Sequence, residues 1–228
     1  MISVVIPALN AQKSLPAVLE ALVAPALDGV VKEVIVVDGG SSDDALKIAD
    51  GYGAKFLTSP PGRGGQLATG AKAAKGSWLL FLHADTVPED RWEKEAARFI
   101  NEFPEAAAVF TLKFDATGLA PAIVAAGAMA RTRLLKTPYG DQGLLISKKL
   151  YDEAGGYADL PLMEDVELIR RLIKRKGRGA LHVLAAKAVT SAARYERDGY
   201  ARRVFRNLTI LMRYFLGASP EALAKDYR

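Results

Sequence analysis

Carboxylates follow two apolar runs of this sequence. Asp38 ends the run 30–37, and Asp85 comes shortly after the run 78–82, behind His83 and Ala84. A carboxylate at the tip of so apolar a strand needs a partner, because its desolvation is unfavourable. A hard cation such as Mg²⁺ or Mn²⁺ is one such partner, since it binds through one or two carboxylates and the phosphates of a substrate. A helix cap near residue 89 is the alternative for Asp85.

A glycine-rich loop supplies a cationic side chain. Residues 61–66 are Pro-Gly-Arg-Gly-Gly-Gln, so backbone amides can approach an anion while Arg63 offers a forked guanidinium. The loop has neither the lysine of a Walker motif nor the glycine spacing of a dinucleotide fingerprint. The pattern predicts either a phosphate contact or a mobile surface loop.

Two further acidic segments lie in the second half of the chain. Asp141 and Gln142 stand between glycines, and Glu164 and Asp165 precede an amphipathic helix. Negative charge in the first turn of a helix is favoured by the helix dipole, so capping is one interpretation of the second pair. The other is a general base that accepts a proton from a substrate hydroxyl.

Alternating strands and helices must position these residues. Short β-branched runs at 2–6 and 30–37 predict covered parallel strands, with a helix between them. The alternation continues with a helix at 43–49, a strand at 54–57, a helix at 65–74 and a strand at 78–82. It predicts an α/β fold with a mostly parallel central sheet flanked by helices, whose ligands bind at the carboxyl ends of the strands.

The second half of the chain is less regular. It predicts a helix at 91–103, a strand at 109–114, an alanine-rich helix beyond 121 and a strand at 144–146. No linker, low-complexity tract or repeat interrupts it, so one domain over residues 1–228 is predicted. Its parts are about 1–90, about 91–180, and a basic amphipathic helical segment over about 181–228.

The composition excludes several classes of protein. The 228 residues include no cysteine and two histidines, which excludes disulfides, a thiolate nucleophile and cysteine-ligated zinc. Half of the residues are apolar and a quarter are charged, as is typical of globular domains. The N-terminus has no features of a signal peptide, and the weakly polar run 119–130 is too short for a membrane span. A cytoplasmic location is expected.

Basic residues are concentrated in the C-terminal tail. The net charge is +5, and residues 182–228 hold nine Lys or Arg against four Asp or Glu. One face of a helix predicted here carries Val204, Phe205, Leu208, Leu211, Met212, Phe215 and Leu216. Three alternatives are open for this face: it packs on the domain while the arginines are solvated, it lies on an anionic membrane, or it forms a homodimer. The arginines could also bind a diphosphate. A nucleic-acid partner is not predicted.

Taken in order, these segments resemble the family 2 glycosyltransferases of GT-A fold, which are inverting enzymes that use nucleotide-diphosphate sugars. The resemblance covers residues 2–175. The matching segments are 3–10 (opening strand), 36–43 (Val-Asp-Asp-Gly-Ser-x-Asp), 62–76 (Gly-Lys-Gly segment), 82–85 (Asp-x-Asp metal motif) and 164–165 (Glu-Asp motif). The likeness is strongest to a small soluble branch that carries His-Ala-Asp and Gly-Asp-Gln.

The resemblance implies a nucleotide-binding N-terminal half and an acceptor-binding C-terminal half. The nucleotide-sugar site would comprise Pro7, Ala8, Asn10, Asp38, Gly40, Arg63, His83 and Ala84. Asp85 would hold Mn²⁺ or Mg²⁺, Asp165 would be the catalytic base with Glu164 beside it, and Asp141 with Gln142 would line the sugar or acceptor pocket. His83 replaces the first Asp of the metal motif, so it either touches the ribose or ligates the metal. Gly39 replaces the second acidic residue of the signature.

The implied reaction is the metal-assisted transfer of a sugar to an acceptor hydroxyl with inversion. The acceptor would be a lipid carrier, a glycan or a small molecule, and the enzyme would be cytoplasmic, with a peripheral membrane contact as an option. One alternative is a non-catalytic protein on the same fold that binds nucleotide sugars, polyanions or membranes. The other is a sugar nucleotidylyltransferase, but the glycine-rich basic loop expected after the first strand is missing from residues 8–14.

Overall fold

A single mixed sheet of eight strands organises the computed structural model, which describes residues 1–227. The strands are β1 (Ile2–Ala8), β2 (Val31–Asp38), β3 (Lys55–Thr58), β4 (Trp78–Phe81), β5 (Thr86–Pro88), β6 (Ala107–Phe114), β7 (Leu144–Ser147) and β8 (Leu181–Thr190). The helices are α1 (Leu15–Leu27), α2 (Ala45–Gly51), α3 (Arg63–Ala73), α4 (Trp92–Glu102), α5 (Leu119–Leu135), α6 (Lys148–Glu153), α7 (Glu164–Lys176), α8 (Ala193–Asp198), α9 (Tyr200–Phe215) and α10 (Pro220–Tyr227). The strand order is β3-β2-β1-β4-β7-β6-β8-β5.

The first four strands of this order are parallel, as the strand–helix alternation predicts. β1 pairs with β2 and β4, and β2 pairs with β3, all in parallel. Ala8 and Asp38 are partners at the last position of the β1–β2 ladder. The carboxyl ends of these strands therefore meet at one edge, which brings the segments after β1, β2 and β4 together.

The second half of the sheet mixes directions. β7 is antiparallel to both β4 and β6, β6 is parallel to β8, and β5 is antiparallel to β8. The prediction that residues 181–228 form a helical segment is wrong in its first ten residues, because they are strand β8. Alanine occupies several inward positions of β8, and its low strand propensity hides the period-two pattern.

Helices cover both faces of the sheet and enclose two apolar cores. One core joins α1, α2 and α4 to the sheet, and the other joins α3, α6 and α7 to its opposite face. The buried rings of Trp92 and Phe110 meet edge to face in the first core, with centroids 6.1 Å apart. The two cores fix the sheet edge at which the segments after β1, β2 and β4 meet.

Helix α9 is oriented against expectation. Its buried residues are Arg203, Ile210 and Leu211, whereas most of the predicted apolar face points to solvent. The expectation that this face packs on the domain is therefore wrong. The inward side of α9 carries polar residues because, as described below, it lines a cleft.

Gly70 allows α3 to pack closely on the sheet. A Cβ at Gly70 would overlap the side chain of Val5 and lie 3.1 Å from Cγ2 of Val37. Gly127, also inside a helix, has no neighbouring atom within 4 Å of such a Cβ.

Gly70→Ala is therefore expected to lower the free energy of unfolding by about 1–3 kcal/mol, because the added methyl group overpacks the core. The matched variant Gly127→Ala should raise it by about 0.5–1 kcal/mol through helix propensity. Urea denaturation measures both. Equal effects of the two substitutions would contradict the close packing of α3.

Candidate active site

A cleft of about 640 Å³ lies over the carboxyl ends of β1 and β4. Its walls come from several parts of the chain: the segments after β1 and β4, the starts of α3 and α7, the segment 139–141, and the C-terminal helices. Lining residues include Pro7, Ala8, Asn10, Arg63, His83, Ala84, Asp85, Asp141, Glu164, Asp165, Arg194 and Asn207. Most residues singled out from the sequence thus share one concave surface.

Asp38 and Gly40 lie beside the cleft rather than on its wall. The Asp38 carboxylate accepts hydrogen bonds from the backbone N–H groups of Gly40 and Ser41, each 2.9 Å long, and from the Ser41 hydroxyl. The turn is tied to the cleft by Asn10, whose N–H donates to Ser41 Oγ at 2.8 Å and whose Oδ1 accepts the Ser42 N–H at 2.9 Å. Asp38 thus shapes the turn that borders the first-strand segment.

Gln66 holds the ends of β1 and β2 together. Its side chain is buried, and Nε2 donates to the carbonyl oxygens of Ala8 at 2.8 Å and Val37 at 2.7 Å. Sequence reasoning missed this role. The signal was a polar residue at a buried helical position of α3, four residues before Gly70.

Arg63 opens α3 and reaches the start of α7. This contact requires a close approach of α3 to the segment before α7: a Cβ at Gly64 would clash with the Ala158 carbonyl oxygen and lie 2.9 Å from the Leu160 nitrogen. Arg63 then forms an ion pair with Glu164, with Nη1 3.4 Å from Oε1. The Glu164 side chain is 2% exposed and that of Arg63 is 35% exposed, so one side of the guanidinium remains open to the cleft.

Asp165 is held by backbone donors. One carboxylate oxygen accepts the Gly140 N–H at 2.6 Å, and the other accepts the N–H of Val166 at 2.7 Å. Met163, just before this pair, has a left-handed backbone with φ of 65°. Such a conformation is uncommon outside glycine and is concentrated at functional sites.

The two neighbouring carboxyl groups differ in their tendency to ionise. Burial and then the charge of Asp165 raise the pKa of Glu164 to about 7, although Arg63 opposes the rise. Burial also raises the pKa of Asp165, but Arg63 and the backbone donors of Val166 and Gly140 favour its charged form. Of the pair, Glu164 is therefore the group that favours the proton, and Asp165 is the one whose carboxylate form is stabilised by hydrogen bonds.

His83 and Asp85 follow β4 in a short turn. The His83 ring packs against Gly140, where a Cβ would strike Nε2, and the Asp85 carbonyl oxygen accepts the Ser191 N–H at 3.2 Å. Burial, with the charges of Arg63 and Arg194, lowers the pKa of His83 well below its usual value. The imidazole is therefore neutral, which is the form that contacts a ribose hydroxyl or ligates a metal.

The residues of the Gly-Asp-Gln segment have separate places. Gln142 does not line the cleft: it is fully buried, with Oε1 accepting from the Thr132 hydroxyl at 2.7 Å and Nε2 donating to the Phe110 carbonyl at 3.2 Å. Asp141 does line the cleft, and burial raises its pKa to about 6. Its Oδ1 is buried and has no hydrogen-bond partner among residues 1–227.

The C-terminal helices form one wall of the cleft, and the sequence pattern predicted only part of this wall. Arg194 of α8 is exposed and lies in the cleft, whereas Arg203 of α9 is buried and paired with Asp198. Asn207 also lines the cleft, and its Oδ1 is buried without a partner in the described chain. The basic composition of the tail predicted contact with an anionic group. The spacing of the arginines could not show which of them, Arg194 or another, is exposed in the cleft.

The donor set fits a metal only together with a substrate. Among residues 1–227 no group of three His, Cys, Asp or Glu side chains could hold a metal ion. Asp85 and neutral His83 offer one carboxylate and one imidazole. Mg²⁺ and Mn²⁺ sites in phosphate-handling proteins commonly use one or two carboxylates plus the phosphates, which this pair matches.

Comparison with known proteins identifies the family. The model of the family described as Glycosyl transferase family 2 matches residues 3–151, and the chain belongs to that family. The predicted family is thereby confirmed. The assignment to a small His-Ala-Asp branch stays a prediction.

Individual relatives match over shorter stretches. The glucosyl-3-phosphoglycerate synthase of Mycobacterium tuberculosis is 34% identical over 95 residues, which are 38% of this chain and 29% of that protein. A glycosyltransferase of the same organism is 36% identical over 85 residues, covering 37% of this chain and 36% of that one. The chain therefore spans about a third of the length of the curated relatives it matches.

Solved structures share the fold. Residues 1–349 of TarS from S. aureus have a TM-score of 0.66 at 18% identity, covering 99% of this chain and 70% of that one. The M. tuberculosis glucosyl-3-phosphoglycerate synthase, solved with Mn²⁺, UDP and glucosyl-3-phosphoglycerate, has a TM-score of 0.62 at 23% identity, covering 91% and 78%. The predicted GT-A architecture is confirmed. Within residues 1–227, no helix has the length and apolar character that crossing a membrane requires.

The raised pKa of Glu164 makes the stability of the protein depend on pH. The folded state binds this proton more tightly than the unfolded chain, whose carboxyl has the ordinary value of 4.5. The free energy of unfolding should therefore fall as pH rises from 4.5 to about 7, by up to about 3 kcal/mol.

Glu164→Gln should show a smaller fall, most clearly between pH 6 and 7, because Asp141, whose pKa is raised to about 6, contributes a fall of its own at lower pH. The exposed control Glu221→Gln should retain the whole fall. Urea denaturation at stepped pH measures the difference. Parallel curves for the wild type and Glu164→Gln would contradict the buried, proton-retaining carboxyl.

Proposed function

We propose that the protein transfers a sugar from a UDP-sugar to an acceptor hydroxyl with inversion. The observation that carries the proposal is the meeting of Asp85, Arg63 and the Glu164–Asp165 pair in one cleft of a family 2 glycosyltransferase fold. Uridine is proposed because one structural relative was solved with UDP-glucose and Mn²⁺, and TarS with UDP-GlcNAc.

The first requirement of the reaction is to neutralise the departing diphosphate. The Arg63 side chain is partly exposed in the cleft, and Arg194 places a second cation there. Guanidinium groups bind phosphate oxygens in a bidentate manner, so both can hold the diphosphate as charge develops on it. Asp85 and His83 would hold Mn²⁺ or Mg²⁺, which supplies further charge compensation when bound.

The second requirement is a base for the acceptor hydroxyl. Asp165 is proposed for this role because it lines the cleft, and because Arg63 and the N–H groups of Gly140 and Val166 favour its carboxylate form. The Gly140 N–H fixes its orientation. A base that acts on the face of the sugar opposite to the diphosphate produces an inverted anomeric centre.

Hydroxyl groups of the sugar or acceptor need polar partners in the same cleft. Asp141 Oδ1 and Asn207 Oδ1 are buried acceptors without partners among residues 1–227. Unpaired buried acceptors are unfavourable, so a bound hydroxyl donor is stabilised at each of them. Asp141 is proposed to line the sugar or acceptor pocket; Gln142 is proposed to support that wall from behind through Phe110 and Thr132.

Donor binding tests the first requirement. In a thermal-shift screen, UDP-sugars with Mn²⁺ are expected to raise the Tm, and Asp85→Ala should abolish the metal-dependent part of the shift. Asp90→Ala, an exposed acidic residue five positions later, is the matched control and should behave like the wild type. A metal-independent shift in the wild type would contradict the role of Asp85.

Replacing each acidic neighbour separately tests the second requirement. Asp165→Asn should lower kcat for UDP release by about 10²–10⁴-fold while UDP-sugar affinity survives, because the base is lost but Asp85 and Arg63 are unchanged. The amide keeps an acceptor for only one of the Gly140 and Val166 N–H groups. Glu164→Gln should cost far less, since a neutral amide resembles the protonated carboxyl. Steady-state kinetics distinguish them, and the reverse order would assign the base to Glu164. A protein that binds UDP-sugars without turnover would be a non-catalytic member of the fold.

A further inference from the structure

Helix α9 carries an outward apolar stripe. Phe205, Leu208, Met212, Phe215 and Leu216, which follows its last residue, are 74%, 50%, 62%, 48% and 80% exposed. Their spacing places them on one side of the helix, over an arc of roughly 100°. A soluble helix normally turns its apolar side inward, so this reversed arrangement needs a partner outside the chain.

The neighbouring helix α5 also carries exposed apolar residues. It contacts α9, and Leu119, Ile123, Leu134 and Leu135 are all more than half exposed. Leu135 and Phe215 also line a common cavity of about 490 Å³. The outer sides of α5 and α9 with this cavity are called the α5–α9 surface below.

The cavity is strongly cationic. Its lining includes five basic side chains, Lys136, Arg170, Arg171, Lys174 and Arg178, against one acidic side chain, Glu167. Arg171 is neutralised by Glu167, and the Arg170 guanidinium lies 5.2 Å from the ring centroid of Phe215. The remaining positive charge is therefore concentrated where the apolar stripe ends.

We propose that the α5–α9 surface docks on an anionic lipid bilayer. The apolar stripe inserts at the level of the head groups, and the cationic cavity takes a lipid phosphate. Basic residues beside an apolar stripe are the pattern of helices that lie in the membrane interface; here the stripe ends at the cationic cavity, and Arg202 of α9 is exposed. A second copy, whose α9 likewise carries no acidic residue, offers the cationic cavity no complementary charge from this helix.

Docking would place the bilayer close to the proposed active site. The side of α9 opposite the stripe lines the cleft through Arg203, Asn207 and Ile210. The cleft would then lie about one helix diameter, ~10 Å, from the lipid surface. The proposal concerns binding alone and does not depend on the sugar donor.

Vesicle cosedimentation of the full chain tests the proposal. The wild type is expected to bind phosphatidylcholine vesicles that contain phosphatidylglycerol, and to bind pure phosphatidylcholine much more weakly. Phe205→Gln/Met212→Gln should weaken binding by at least about tenfold, because two large apolar side chains no longer insert. The matched control, Leu27→Gln/Leu46→Gln, changes exposed leucines on α1 and α2 and should bind like the wild type.

The charged part of the surface is tested separately. Lys174→Ala should weaken binding to anionic vesicles by about fivefold and leave binding to neutral vesicles unchanged. Equal binding of the wild type to anionic and to neutral vesicles would overturn the phosphate-binding role of the cavity.

Size-exclusion chromatography with light scattering distinguishes a second copy from a membrane. A monomer supports docking on lipid; a dimer that Phe205→Gln/Met212→Gln converts to a monomer would overturn the proposal, as would the absence of vesicle binding by the wild type. Circular dichroism melting confirms that each variant is folded. A UDP-sugar thermal shift that survives in these variants keeps this outcome separate from that of the proposed activity.

Discussion

The ion pair of Arg63 with the buried Glu164, beside Asp165, is the interaction on which the cleft depends. Two adjacent carboxyl groups in an apolar setting repel each other when both are ionised, and the guanidinium together with one retained proton relieves that repulsion. The contact also joins α3 to α7, two helices separated by about a hundred residues of sequence. The same arrangement therefore closes one wall of the cleft and sets which carboxyl group is charged.

The sheet supplies the rigid frame for this contact. Parallel pairing of β1, β2 and β4 brings three chain segments to one edge, and Gln66 ties two of them through the carbonyl groups of Ala8 and Val37. Gly64 lets the helix that carries Arg63 approach the segment before Glu164. The position of Arg63 thus depends on close backbone packing. The small residue Gly64 and the buried polar residue Gln66 lie next to Arg63 for this reason.

Local pattern predicted the N-terminal half well because parallel strands covered on both faces are continuous apolar runs, and their ends locate ligands. It predicted Asp85 as a ligand-binding residue for the same reason, whereas the roles of Arg63 and Asp165 were implied by the family resemblance, because neither residue lies at the end of such a strand. It failed for Gln142 and for β8. A buried amide cannot be told from a ligand contact by spacing, and Ala185, Ala186 and Ala188 give β8 a composition that is unusual for a strand. Contacts between distant segments decided both: hydrogen bonds to Thr132 and Phe110 for Gln142, and pairing with β6 and β5 for β8. Such contacts are not a local property.

Helix α9 illustrates how the cleft constrains the surface. On its inward side Arg203 pairs with Asp198 and Asn207 lines the cleft. Polar residues therefore occupy positions where a packed helix would normally have leucine. The apolar residues of the same helix then face solvent, because the residues that line the cleft occupy its inward side. A stripe of exposed Phe, Leu and Met is unfavourable in water and is retained only if something covers it. Because arginines flank the stripe and a cationic cavity ends it, an anionic surface satisfies both the apolar and the charged parts at once.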